Sequence, residues 1–285
     1  MTDSVLVFGS GFVGAAVTAV LERDVEVTVL DLPEYPILAE RNDEARALVL
    51  NTLTRTGARA VVNTSGLLRG TDEVMNSANV AWPAWLVDDV LGATGVRFVH
   101  LGSAAEYGDP GSAEPVRETA HVNPNGVYGE TKWAGTAAVL AARAAGLDAV
   151  VARGFNLVGP NLAPVSPLFQ FLTDVTAAPD RGGSVEIWWP ETLRDFITLD
   201  DMAAAIASLA LADEVPDIVN LCAQVGITFA EIVHAMATHQ GKSVEIVSAD
   251  RPGIPAVVGD NSRLIEITGI RPQMSAEIIA TGAGF

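Results

Sequence analysis

Ser103, Tyr128 and Lys132 stand at intervals suited to moving a proton. Tyr128-Gly-Glu-Thr-Lys132 is a Tyr-x-x-x-Lys element, and a helix of about 3.6 residues per turn puts positions i and i+4 on one face. An ammonium beside a phenol favours the phenolate, so the spacing predicts a Tyr128 pKa lowered from about 10 towards working pH. A phenol so tuned can take a proton from a carbinol oxygen or give one to a ketone oxygen. The chain holds only two lysines, Lys132 and Lys242, and arginine supplies the rest of its positive charge. A composition that shuns lysine yet keeps one here points to a need for the ammonium itself.

The elements that must carry these residues alternate between strand and helix. Ser4–Phe8 and Val25–Leu30 are short β-branched runs, separated by a helical Phe12–Leu21. Asp43–Arg55 reads as a helix, Ala60–Asn63 as a strand, Glu73–Leu91 as a helix and Val96–Leu101 as a strand. A helix from Val127 to Ala145 then precedes a strand at Ala149–Ala152. This alternation predicts an α/β fold, a doubly wound parallel sheet of the Rossmann type with its working groups at the carboxyl ends of the strands. After Arg153 the pattern loosens, broken by Pro160, Pro164, Pro167, Pro179, Pro190, Gly182 and Gly183. A helix at Asp200–Leu211 and a strand at Ile218–Leu221 read as a return to the sheet. The division expected is a dinucleotide-binding domain over 1–155, to which 195–222 return. A smaller C-terminal substrate-binding lobe takes 156–194 and 223–285.

Gly9-Ser-Gly11-Phe-Val-Gly14 follows the first strand and opens the first helix, the setting of a dinucleotide fingerprint. Gly9 makes the tight turn, Gly11 admits a pyrophosphate to the backbone, and Gly14 lets the helix close on the strand. The phosphates then meet the amides at the helix N-terminus, at Phe12 and Val13. Asp31 ends the second strand 17 positions after Gly14. A carboxylate there accepts from ribose hydroxyls and repels a 2′-phosphate, so the expected cofactor is NAD in preference to NADP.

With these residues in view, the chain resembles the extended short-chain dehydrogenase/reductases, in their nucleotide-sugar epimerase, dehydratase and ketoreductase branch. Asn79-Val80 precedes a strand that ends Ser103-Ala-Ala-Glu-Tyr107-Gly108, much like the family's Asn-Val helix and its Ser-x-x-x-Tyr-Gly strand end. The 25 residues from Ser103 to Tyr128 are a typical family interval. Arg153-Gly-Phe-Asn156-Leu-Val-Gly159-Pro160 and Arg194-Asp195-Phe196-Ile197-Thr-Leu-Asp200-Asp201 resemble two further family segments. The resemblance implies that Ser103 donates to the substrate oxygen, Tyr128 shuttles the proton and Lys132 also holds the nicotinamide ribose. It implies that Asn79 fixes the active-site helix and a relay water. Asn156 and Arg194, with Arg251 as a second arginine, would face the diphosphate of a nucleotide sugar, where a guanidinium suits paired oxygens. Two departures stand out. Phe8 occupies the place of the first glycine in the family's usual Gly-x-x-Gly-x-x-Gly. Ala104 and Ala105 stand where sugar 4,6-dehydratases carry an Asp-Glu pair, and Glu106 comes one place late, which argues against a dehydratase.

The reading is therefore an NAD-dependent oxidoreductase of a nucleotide-linked sugar, a ketoreductase or an epimerase. Two rivals stay open: a reductase of a non-nucleotide ketone or alcohol, and a non-catalytic NAD sensor. The formal net charge of −18 argues against a nucleic-acid partner. The longest apolar runs fall short of a membrane helix, and MTDSVLVFGS lacks the basic start of a signal peptide. Cys222 is alone, which excludes an internal disulfide and fits a cytoplasmic protein. His100, His121, His234 and His239 have no metal-ligand spacing, so no metal is expected. Trp188-Trp189 could stack on a sugar or base, though large loop side chains more often pack a core. In the family, helices such as Glu73–Leu91 and Val127–Ala145 often form a dimer's four-helix interface. A homodimer is the expected assembly, although Trp82, Trp85 and Trp133 could be covered within one chain.

Overall fold

The structure, a computed structural model, describes residues 3–160, 166–248 and 253–282. Six parallel strands form the central sheet: β1 (Ser4–Phe8), β2 (Glu26–Leu30), β3 (Ala58–Asn63), β4 (Arg97–Ser103), β5 (Ala149–Gly154) and β10 (Ile218–Leu221). Their order is β10-β5-β4-β3-β1-β2. Every residue of β1 is buried, as a central parallel strand covered on both faces requires. β2 lies on one side of β1, and β3, β4 and β5 follow one another on the other, so the winding reverses beside β1. In open sheets of this kind that reversal is where ligands bind, outside the carboxyl ends of the strands.

Each face of the sheet has its own apolar core. On one, α1 (Phe12–Leu21) and α7 (Leu199–Leu211) cover Val5, Val7, Val99 and Val150. On the other, α2 (Asp43–Thr56), the helical run over 72–91 and α5 (Gly126–Ala144) cover Leu6, Phe8, Phe98 and Val151. A buried side chain of this size contributes about 1.5–3 kcal/mol. α2 shows how sequence sets an element's ends. The Asn42 side chain accepts from the Ala45 amide, Asp43 and Glu44 sit in the first turn, and Gly57 closes the helix at φ 64°.

The expected single helix at Glu73–Leu91 is instead α3 (Asp72–Asn76) and α4 (Trp82–Trp85), each followed by a π turn, at Ser77–Ala81 and Leu86–Leu91. Pro83 has no N–H to return to the Asn79 carbonyl. That carbonyl faces α5 instead, so closely that a Cβ at Gly135 would stand 2.1 Å from it.

Beyond β5 the chain builds the smaller lobe. β6 (Asn156–Val158) pairs with β9 (Phe196–Thr198), and β7 (Gly183–Ile187) with β12 (Val244–Ser248). β8 (Leu193–Arg194) lies between β11 (Ile227–Thr228) and β13 (Ala256–Val257). α6 (Pro167–Ala177), α8 (Phe229–His239) and α10 (Ala276–Gly282) enclose a third core that includes Phe171, Ile187, Ile232 and Met236, while α9 (Ser262–Thr268) sits against α7. The second lysine has a structural use here. The Lys242 ammonium donates to the carbonyls of Val175, Thr176 and Ala178 at 3.0, 2.6 and 2.8 Å, spending three N–H groups on the open end of α6. The architecture is the doubly wound sheet with a smaller lobe. Among the described residues no helix is long and apolar enough to cross a membrane.

Candidate active site

The turn between β1 and α1 has the geometry its glycines imply. Gly9 adopts φ 95°. A Cβ on Gly14 would stand 1.9 Å from the Gly9 carbonyl oxygen, so only glycine lets α1 approach the strand. A Cβ on Gly11 would meet nothing within 4 Å, and the first turn of α1 has no side-chain cap. No side chain therefore caps those amides or crowds Gly11, as a pyrophosphate cradle needs. Phe8, the residue in place of the first glycine, is buried against Trp82, ring centroids 5.2 Å apart. Phe12 is exposed at the mouth, and Val13 packs on the core. Asp31 follows β2 and accepts from the hydroxyl and amide of Ser10 and from the Leu32 amide, which holds the carboxylate at the lip of the turn.

Ser103 ends β4, and its hydroxyl shares a hydrogen bond with that of Tyr128 from the first turn of α5. Lys132 lies one turn further on, buried, and its ammonium donates to the Leu101 carbonyl at 2.6 Å. This corrects the electrostatic expectation. The Tyr128 phenol is pushed up, not down: burial raises its pKa, the Ser103 hydrogen bond lowers it, and the Glu106 charge raises it. The Lys132 pKa is itself lowered to about 8 by burial, with Glu106 pulling the other way. The i, i+4 spacing put both groups on one face but could not say how much water that face loses on folding. Asn79, in the first π turn, clamps three segments. Its Oδ1 accepts from the Leu67 amide at 2.8 Å, and its Nδ2 donates to the Leu67 carbonyl at 2.8 Å and the Thr131 hydroxyl at 3.1 Å.

The site thus joins a glycine turn, an acidic residue after the second strand, and a Ser–Tyr hydroxyl pair between the end of β4 and the first turn of α5. Residues 5–222 fit the NAD dependent epimerase/dehydratase family. The chain is 31% identical over 257 residues to a dTDP-6-deoxy-L-talose 4-dehydrogenase (NAD(P)(+)) of Kitasatospora kifunensis, covering 86% of this chain and 81% of that one. The chain belongs to the NAD dependent epimerase/dehydratase family. In three dimensions it resembles RMD from Pseudomonas aeruginosa, solved with NADPH, with a TM-score of 0.83 at 22% identity over 99% of this chain and 96% of that one. It also resembles UDP-glucose 4-epimerase from Brucella ovis, solved with NAD, with a TM-score of 0.81 at 22% identity over 99% and 97%. These two likenesses concern the fold. The family's cofactor is NAD, and the cradle at Gly9, Gly11, Gly14 and Asp31 fits it.

In this family member the residues expected to face a substrate have their donors turned to protein carbonyls. Asn156 donates through Nδ2 to the Asp195 carbonyl at 2.7 Å. The Arg194 guanidinium donates to the Ile254 carbonyl at 3.1 Å from both Nη atoms and to the Leu193 carbonyl at 2.9 Å. It lies over the Phe229 ring, and burial lowers its pKa against the pull of Asp109. Arg251 lies outside the described residues. Trp189 packs so closely on Gly253 that a Cβ there would stand 2.6 Å from its ring, while Trp188 is half-exposed. Trp82 and Trp85 are buried within the chain, and the Trp82 Nε1 donates to Asn63 at 3.1 Å.

Two features escaped the sequence reading. Thr64 and Ser65 pack on the glycine turn, where a Cβ on Gly9 would stand 3.1 Å from the Thr64 hydroxyl and 3.0 Å from the Ser65 amide nitrogen, and the Thr64 hydroxyl donates to the Phe8 carbonyl at 3.0 Å. The small, polar end of β3 was the available signal. Glu106 is fully buried and paired with Arg153, its Oε2 2.8 Å from Nη2. Nothing local announces a pair 47 residues apart.

Proposed function

We propose that this chain is an NAD-dependent ketoreductase acting at the 4-position of a nucleotide-linked 6-deoxy sugar. The single observation that carries the reading is the hydrogen bond between the hydroxyls of Ser103, at the end of β4, and Tyr128, one turn before Lys132 on α5. Membership of the family supports it, as does the C4 chemistry in the name of the Kitasatospora relative. When bound, the reduced cofactor supplies the hydride. Tyr128 does the rest as an acid. Burial keeps its phenol protonated, so it gives a proton to the ketone oxygen while Ser103 donates a hydrogen bond to that oxygen. Lys132 holds the ribose, and its ammonium stabilises the phenolate that Tyr128 becomes until a proton is taken back from solvent. Asp31 sets the preference for NAD over NADP. Ala104 and Ala105 leave the site without the carboxyl pair a dehydratase needs.

The remaining assignments belong to the same proposal. The lobe of 156–194 and 223–285 receives the sugar nucleotide, and the chain works as a cytoplasmic homodimer. An epimerase would use the same side chains and differ in keeping its NAD, so cofactor that survives dialysis would favour it. The carbonyl contacts of Asn156 and Arg194 favour a second reading, a reductase of a non-nucleotide ketone.

The experiment is the oxidation of NADH by the purified protein with a dTDP-linked 4-keto-6-deoxy sugar. Turnover is expected, and Tyr128→Phe should reduce it by a factor of about 100 or more while leaving NAD affinity unchanged. Undiminished activity in that variant would remove Tyr128 from the mechanism.

A further inference from the structure

Glu106 joins the three elements on which the proposed chemistry stands. Its Oε1 accepts from the Ser103 amide at 2.7 Å, at the end of β4, and from the Thr136 hydroxyl at 2.9 Å, one turn beyond Lys132 on α5. Its Oε2 accepts from the Arg153 Nε at 2.9 Å, on β5. The chain makes room for this carboxylate. A Cβ on Gly102 would stand 2.9 Å from Oε1 and 2.8 Å from the Val151 Cγ1, so β4 omits a side chain where Glu106 lies. The Arg153 guanidinium is backed by the Tyr107 ring at 4.5 Å, and the Tyr107 hydroxyl donates to Asn220 at 2.7 Å. A buried ion pair stabilises a fold no better than well-packed apolar residues of the same volume. Its value is to be sought in what it holds.

We propose that Glu106 is a positioning residue for the reductase, fixing the Ser103 backbone and the seat of α5 while supplying the negative charge that faces the Lys132 ammonium. It stays clear of the substrate, and its effect on turnover rests on the function proposed above. The charged and titratable groups around it are Arg153 from β5 and Tyr128 and Lys132 from α5. Lys132 is also faced by His100 from β4, which burial and then the ammonium itself keep neutral. Burial lowers the Lys132 pKa and Glu106 opposes that fall.

The charge can be read without any turnover. Because the chain has two lysines, the protein labelled at lysine 13Cε gives two signals, assigned with Lys242→Arg. Lys132 should titrate at about 8 in the wild type. Glu106→Gln keeps the acceptor for Ser103 and removes the charge, so the Lys132 midpoint should fall by about one pH unit. Should the stranded guanidinium prevent folding, Glu106→Gln with Arg153→Met removes both charges and should still show a fall, made smaller because a neighbouring positive charge goes with the negative one. An unchanged midpoint overturns the proposal. So does a fall in the single variant that the double variant reverses, because Arg153 would then be its source. Where the wild type turns over a ketone, the alkaline limb of kcat should move with the Lys132 midpoint. Where it turns over none, the function reading fails while the titration still decides the role of Glu106.

Discussion

A buried ammonium costs free energy, and Lys132 carries one for reasons other than stability. Burial holds its pKa at about 8, while an unfolded lysine titrates near 10. Between those values the folded chain binds fewer protons than the unfolded chain, so stability rises with pH through that window. The cost is complete below about pH 8 and fades towards about pH 10. Lys132→Met should therefore leave the cofactor-free protein at least as stable to urea at pH 7, by about 1 kcal/mol, with the difference vanishing near pH 10. The same variant should lose turnover. A loss of stability at pH 7 that persists unchanged at the higher pH would show Lys132 to be a packing residue. Tyr128 teaches a related lesson. The ammonium one turn away donates to Leu101, so the phenol of the cofactor-free protein answers first to its own desolvation.

At the scale of elements, short-range signals fixed the ends and long-range contacts fixed the shapes. Asn42 and Gly57 bound α2 as local capping predicts, and Ile218–Leu221 is a strand within the limits its residues suggest. The helical run over 72–91 was legible as helix, but its π turns were not. They follow from Pro83 and from the close passage of α5 at Gly135, two features 52 residues apart. Lys242 offers the cleanest test of an element's end. Lys242→Met removes three donors from the carbonyls that close α6, and a cost of about 1–3 kcal/mol is expected. Urea unfolding measures it, and NAD affinity should not change because the contact lies in the lobe. A cost near zero would mean that water satisfies those carbonyls equally well.

For the whole molecule the decisive question is what sits between sheet and lobe. Asp195 braces that junction. It is fully buried, and its carboxylate accepts from the amides of Ala223, Gln224 and Gly259 at 3.0, 2.9 and 3.1 Å. Arg194 and Asn156 flank it with their donors turned to protein carbonyls, in a chain of net charge −18. If a nucleotide sugar is the substrate, those donors must exchange a carbonyl for a phosphate oxygen. Saturating TDP or UDP should then raise the melting temperature by about 5 °C, through preferential binding to the folded state. An unmoved melting temperature with both nucleotides would transfer the proposal to a non-nucleotide ketone.

Sequence alone determined the βαβ frame, the glycine turn with Asp31 at its lip, and the placing of Ser103, Tyr128 and Lys132 at neighbouring strand and helix ends. These depend on local periods, on backbone freedom at Gly9 and on the small volume at Gly14. They can be read within a few residues. Tertiary structure alone decided the direction of the Tyr128 shift, the Glu106–Arg153 pair, the three-way clamp of Asn79 and the covering of Trp82 and Trp85 inside the chain. The physical reason is that the charge state and direction of a buried group depend on how much water it loses and which groups face it. Those neighbours arrive from segments tens of residues away, while helical spacing fixes a face but not its depth.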